Sequence, residues 1–301
     1  MKVLIAGGTG FIGGAVAREL SRRGHDIAVL SRRPAPQGAP FRHFLWDAAR
    51  AESCAQAVAD ADAVVNLAGS PVAQGRWSSG RKKELVVSRV GATRVLVEAM
   101  RRANRKPSAL INASAVGFYG DRDDEFLYEE SPPGDGFLCD LALAWEAAAS
   151  EAAALGVRVV KLRIGVVLHQ EGGALGRMLP VFRAFLGGPL GSGHQWMSWI
   201  AREDLAALVA HAVETPIEGA LNATAPDPVT NAGFARAVGR ALHRPSWISV
   251  PAPALRLAFG EMADEIFLSS QRVFPRKALG SGFAFRRRDL DEALRAALRA
   301  R

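Results

Sequence analysis

Gly7, Gly10 and Gly13 recur at three-residue spacing inside Gly7-Gly8-Thr9-Gly10-Phe11-Ile12-Gly13. This turn joins a β-rich run, Lys2–Ala6, to a stretch that reads as a helix over about Ile12–Arg23, with Gly24 at its C-cap. Glycine answers three needs in such a place: a tight turn at Gly7, room for a close ligand at Gly10, and close helix–strand packing at Gly13. Free amides at the start of the helix can hold a diphosphate. The strand–turn–helix context therefore predicts a dinucleotide site built by Gly7, Thr9, Gly10, Phe11, Ile12 and Gly13.

The end of the next strand selects the nucleotide. Asp26–Leu30 runs into Ser31-Arg32-Arg33, where an NAD site usually carries an acid for the ribose 2′-hydroxyl. Two guanidinium groups and no carboxylate suit a 2′-phosphate instead, by charge and by forked geometry. NADP(H) is thus expected over NAD(H), with Ser31, Arg32 and Arg33 at the adenosine end and Arg32 as the foremost contact. A solvated basic turn is the alternative. Asp47, after the expected third strand, reads equally as an adenine neighbour or a surface acid.

These residues need a scaffold. Asp62–Leu67, Leu110–Ala113 and Val157–Leu162 read as further buried strands, separated by long helices over about 80–104 and 138–155. That alternation predicts an α/β fold, a doubly wound parallel Rossmann sheet over residues 1–168. After Leu168 the chain turns glycine- and aromatic-rich. Residues 169–198 and 225–301 are expected to form a smaller C-terminal α/β substrate lobe, with 199–224 returning to the main sheet. The 301 residues are 49% hydrophobic and 23% charged, which supports a real core and excludes disorder. No apolar run reaches the ~18 residues of a membrane-spanning helix, and no leader pattern opens the chain, so a cytoplasmic location without a membrane partner is expected. Cys54 and Cys139 have no metal-ligand spacing and read as reduced and structural, and no metal is expected. The net charge of +8 is uneven. Residues 272–301 hold nine basic residues against three acids, so the surplus is a C-terminal feature. Arg286-Arg287-Arg288 lies in no recognised nucleic-acid motif, so a solvated face is the preferred reading and a nucleic-acid partner is not expected.

A longer set of motifs occurs in order: Asn66-Leu67-Ala68-Gly69, Arg76-Trp77, Ser88-Arg89, Ser114-Ala115-Val116-Gly117-Phe118-Tyr119-Gly120, Trp145-Glu146, Arg163-Ile164-Gly165, Gly187-Gly188-Pro189-Leu190-Gly191-Ser192-Gly193 and Trp199-Ile200. Together they resemble the extended short-chain dehydrogenase/reductase superfamily, and within it the atypical branch labelled "epimerase family protein" or family 39U. The resemblance spans essentially the whole chain. It implies an NADP-binding Rossmann domain with a small substrate lobe. It also implies that Leu67, Ala68 and Gly69 line the cofactor, that Glu84 and Arg89 face its adenosine side, and that Val167 faces the nicotinamide end. The plainer readings are core for Leu67, Ala68 and Val167, and a solvated pair for Glu84 and Arg89.

Enzymes of this superfamily normally use a Tyr-x-x-x-Lys pair, in which the lysine charge lowers the tyrosine pKa and the hydroxyl exchanges a proton with substrate. This chain lacks it. Four residues after Tyr119 and Tyr128 stand Asp123 and Pro132. Aligned through Trp145-Glu146, the positions of the pair fall near Leu138 and Ala142, and neither titrates. The standard mechanism is excluded, although hydride transfer is not, because the cofactor carries that chemistry. Ser114, at a strand end, is the leading polar contact for nicotinamide or substrate. Tyr119 and His194 are further catalytic candidates, each with a structural alternative. The loop Gly191–Trp199 is expected to face substrate. Two function readings follow: an NADP(H)-dependent oxidoreductase or epimerase acting on a small molecule, or an NADP(H)-binding regulatory protein without turnover.

Overall fold

The computed structural model describes residues 1–35 and 37–299. Five strands form the N-terminal part of one sheet: β1 (Lys2–Ala6), β2 (Asp26–Ser31), β3 (Arg42–Leu45), β4 (Ala63–Asn66) and β5 (Ala109–Ala115). Arg158–Ile164 and Gly219–Ala223 complete it. The order is β3-β2-β1-β4-β5, then Arg158–Ile164, then Gly219–Ala223. Every pairing in it is parallel. Strand order reverses beside β1, where Ala6 pairs with Leu30 on one side and Asn66 on the other. A crevice opens at such a switch point, beyond the carboxyl ends of the strands.

Both faces of the sheet are covered, which is why its strands are apolar without alternation. On one face α1 (Gly13–Arg22) and the helix Arg202–Glu214 bury Val16, Leu20, Leu205 and Leu208 against Val3, Ile5 and Val65. On the other, Leu96 and Met100 pack with Leu4, Val64 and Leu110. The long helix expected over about 80–104 runs Ser79–Val86 and Ala92–Arg102, joined by a π-helical turn, Val87–Gly91. The helix expected to Leu155 is α-helical over Phe137–Ser150 and tightens to a 3-10 turn over Glu151–Leu155.

Beyond residue 168, helices Gly173–Arg183, Asn231–Leu242 and Leu290–Arg299 bury Leu179, Phe182, Phe234 and Leu294 around Trp199. Part of the basic C-terminal segment is scaffold: Phe283 and Phe285 join the core beneath the main sheet. Buried Asp204 accepts the backbone amides of Arg286 and Arg287 at 3.0 and 2.8 Å. Among the described residues no helix is long and apolar enough to cross a membrane, and no cluster of His, Cys, Asp and Glu could hold a metal.

Candidate functional site

The glycine turn is sterically obligatory. Gly7 adopts φ +78°, a region that favours glycine, and a Cβ there would meet Leu67 O at 2.8 Å. A Cβ at Gly13 would stand 2.1 Å from Gly7 O, so the first turn of α1 can seat against the loop only without a side chain. Gly10 N–H closes the turn onto Gly7 O at 2.9 Å. Among the described residues the amides of Phe11, Ile12 and Gly13 have no acceptor. No side chain caps α1, and no acid lies in its first turn. The helix therefore presents unpartnered donors and the positive end of its dipole to the crevice.

A cavity of about 210 Å³ lies in front of that terminus. Its lining draws on Gly7, Thr9 and Gly10 from the turn, Ser31 and Arg32 from the end of β2, and Leu67, Ala68 and Gly69 after β4. Eight residues expected at the cofactor thus share one cavity. Phe11, Ile12 and Gly13 stand directly behind the turn. Arg32 is exposed and, among the described residues, has no ion-pair partner. Arg33 is exposed too, but it is not part of the lining, and its backbone amide donates to Ser31 Oγ.

Trp46 also lines the cavity. It follows β3, its amide donates to Ser31 O at 2.8 Å, and its indole N–H is buried beside the Cys54 thiol. The available signal was its place at a strand's carboxyl end, next to Asp47. Ser70 and Ser88 line the opposite side. The glycine cradle, the open helix terminus and the unpaired Arg32 all fit a dinucleotide carrying an extra phosphate.

Arg89 lies under this floor, in the π-helical turn. It is buried, its Nη2 donates to Ser70 O at 2.8 Å, and its guanidinium stacks 5.3 Å over Trp145. Burial lowers its pKa to about 10, still well above neutrality, so the site keeps a fixed positive charge. A Cβ at Gly69 would press on Arg89 Cζ at 3.1 Å. Glu84 sits at the rim, exposed and paired with Arg81 at 2.5 Å, and hydrogen bonding to Arg81 lowers its pKa. Asn66 orders the floor: its Nδ2 donates to Thr93 Oγ1 (2.9 Å) and Asn112 Oδ1 (2.7 Å), while its Oδ1 accepts Ala68 N–H. Val167 is buried in the strand Val166–Leu168, opposite Ile200, within the core.

Two of the three catalytic candidates, Ser114 and Tyr119, meet on one buried ion pair, and His194 stands apart. Ser114 is buried, and its hydroxyl donates to Glu146 Oε1 at 2.8 Å. Glu146 also takes a forked pair of bonds from Arg163, Nε at 2.9 Å and Nη2 at 3.1 Å. Arg163 Nη1 donates to Tyr119 OH at 3.0 Å, and Tyr119 OH lies 2.7 Å from Asn222 Oδ1. Tyr119 is fully buried, and burial pushes its pKa up to about 12, the wrong direction for a proton donor at neutral pH. The placement of Ser114 and Tyr119 thus differs from the expected contact with substrate. The cause is the Glu146–Arg163 pair, which sequence reading passed over and which claims both hydroxyls. His194 is exposed, with its amide on Ser192 Oγ.

The expected substrate loop is likewise tied into the scaffold. Gln195 donates to Leu190 O and Phe267 O, Ser198 to Gln271 O, and Trp199 to Asp227 O, while Trp196 donates to Asp124. Where the superfamily's pair would stand, Leu138 packs against the cluster of Leu85, Val90, Leu141 and Trp145, and Ala142 is buried among Val116, Phe118 and Tyr119. The carboxylate of Glu265 reaches across from the C-terminal part of the chain and caps this helix, accepting Phe137 N–H at 2.7 Å and Leu138 N–H at 2.9 Å.

A model of the NAD dependent epimerase/dehydratase family matches residues 3–224, which include the whole parallel sheet and the glycine turn. The chain belongs to this family. A second model, a domain of unknown function (DUF1731), matches residues 250–297. Within the family, the chain is 44% identical to the epimerase family protein MT2273 of Mycobacterium tuberculosis, over 97% of this chain and 96% of that one. The crystal structure of human epimerase family protein SDR39U1 (isoform 2) with NADPH superposes with a TM-score of 0.90, at 37% identity and full coverage of both chains. A nucleoside-diphosphate sugar epimerase from Corynebacterium glutamicum superposes at 0.77 with 32% identity, covering 99% of this chain and 58% of that one.

Proposed function

We propose that this chain binds NADP(H) and exchanges hydride between its nicotinamide and a small-molecule acceptor, without a protein tyrosine as proton donor. The observation that carries the reading is the open amino terminus of α1 beside an unpaired Arg32. The amides of Phe11, Ile12 and Gly13 would hold the diphosphate, Arg32 the 2′-phosphate, and Trp46 the adenosine end. Leu67, Ala68 and Gly69 would form the floor, with buried Arg89 adding positive charge beneath it. The human relative crystallised with NADPH supports the same choice of cofactor.

When bound, the cofactor supplies or accepts the hydride. Leu138 and Ile164 would flank the reacting end, offer no titratable hydrogen and leave it open to water. The proton that balances reduction would then come from solvent, which suits an acceptor whose reduced anion is stabilised by conjugation. The buried Ser114 and Tyr119 favour a second reading, an NADP(H)-binding regulatory protein without turnover. Both cysteines are buried and unpaired, which fits a reducing compartment such as the cytoplasm.

The test is to mix the NADPH complex with a panel of carbonyl and conjugated enone acceptors. Oxidation of NADPH that slows when deuterium occupies the transferred position supports hydride transfer. Tight NADPH binding with no oxidation by any acceptor moves the assignment to the regulatory reading.

A further inference from the structure

The acidic residues are distributed in a way the cofactor does not explain. Residues 172–202 and 228–260 contain seven arginines and no Asp or Glu. The two segments meet at one corner of the C-terminal lobe, where Ile248 N–H donates to Gly187 O at 3.3 Å. Large apolar side chains project there from two adjoining loops: Trp247 is 79% exposed, Leu186 56% and Phe185 53%, with Ile248 and Val181 beside them. Phe185 holds φ +64°, an uncommon conformation for a bulky residue, at a point where its ring gains little burial. The Arg244 guanidinium sits 4.6 Å over that ring. Arg183 flanks it, and Arg236, Arg240, Arg244 and His243 line the adjoining depression. Arg240 pairs with Asp291, whereas Arg183 and Arg236 have no carboxylate partner among the described residues.

We propose that this corner docks the protein on an anionic lipid bilayer. The four tips Phe185, Leu186, Trp247 and Ile248 enter the headgroup–acyl boundary, and Arg183, Arg236 and Arg244 take lipid phosphates. Aromatic and aliphatic tips beside unpaired cations are the composition such an interface rewards, and the two loops that carry the tips add no carboxylate of their own. A nucleic acid matches the arginines but has no hydrocarbon for Leu186, Ile248 and Val181. The patch was invisible to a search for apolar runs, because its tips come from segments far apart in the chain.

The experiment is co-sedimentation of the full chain with phosphatidylcholine vesicles and with vesicles of phosphatidylcholine and phosphatidylglycerol in equal parts. Partition should be about tenfold stronger on the anionic vesicles and should fall with added salt. Arg183→Ala with Arg244→Ala, or Phe185→Ala with Trp247→Ala, should each lower it about tenfold. Circular dichroism and NADPH binding should stay unchanged, because these side chains are exposed and outside the cofactor cavity. Equal partition on both vesicles would overturn the proposal, as would variants that bind like the parent. A dimer in solution that Trp247→Ala dissolves would assign the corner to a second copy instead. Binding of a single-stranded oligonucleotide with no vesicle partition would assign it to nucleic acid.

Discussion

Ser114 Oγ donates to Glu146 Oε1 across 2.8 Å, inside a pocket where both residues are buried and Arg163 neutralises the carboxylate. The hydroxyl at the end of β5 therefore holds a buried ion pair in place. Ser114→Ala should cost about 1 kcal/mol in urea unfolding, with NADPH affinity kept. Glu146→Ala should cost about 3–5 kcal/mol, because it leaves Arg163 charged and unpaired in the interior. A Ser114→Ala protein of parental stability that loses all NADPH oxidation would restore a catalytic role to the hydroxyl.

Gly13→Ala should disrupt the cofactor turn. Its Cβ would stand 2.1 Å from Gly7 O, a contact only backbone movement relieves. Calorimetric titration should show NADPH and NADH weakened alike, by at least about tenfold, because the displaced amides read the diphosphate common to both.

The missing pair should not be restorable by substitution. Ala142 is buried with Phe118, Tyr119 and Leu127, so Ala142→Lys forces a long charged chain into a filled core. The expected cost is about 3 kcal/mol or more. Leu138→Tyr, at a half-buried position, should fold and yet leave any turnover rate within about threefold, since no lysine stands four residues on to lower the new pKa.

Glu129 should make stability depend on pH in the sense opposite to a salt-bridged acid. Burial raises its pKa, while Oε1 accepts the amides of Asn222 and Lys277 and buried Oε2 has no partner. Its ionisation therefore destabilises the folded state. The penalty is absent below the ordinary carboxylate range and grows as pH rises through the raised folded pKa. Glu129→Gln keeps an acceptor for both amides. It should raise the melting temperature at pH 8, by the equivalent of about 1 kcal/mol, and leave it unchanged at pH 4. An increase confined to pH 4 would contradict the assignment.

The cavity at the glycine turn could be anticipated from sequence because the residues that line it are local. Gly7 to Gly13 form one turn, and Arg32 follows a strand whose apolar run is plain. Glu146 and Arg163 could not be read that way. They lie on a helix and a strand, and only the packing of the two shows that they claim Ser114 and Tyr119. The Gly191–Trp199 loop misled for a similar reason: its polar tips meet backbone groups of distant segments, around Phe267, Gln271 and Asp227, that no local pattern announces. Trp46 escaped notice because one aromatic after a short strand resembles ordinary core until its place in the cavity wall is seen.

The central claim is that Arg32 selects the phosphorylated cofactor, and parallel titrations of the parent and Arg32→Ala with NADPH and NADH test it most directly. The parent should prefer NADPH. Arg32→Ala should weaken NADPH by about 10–100-fold while NADH changes by less than about threefold. Equal losses for the two cofactors, or a parent that binds NADH as tightly as NADPH, would contradict it.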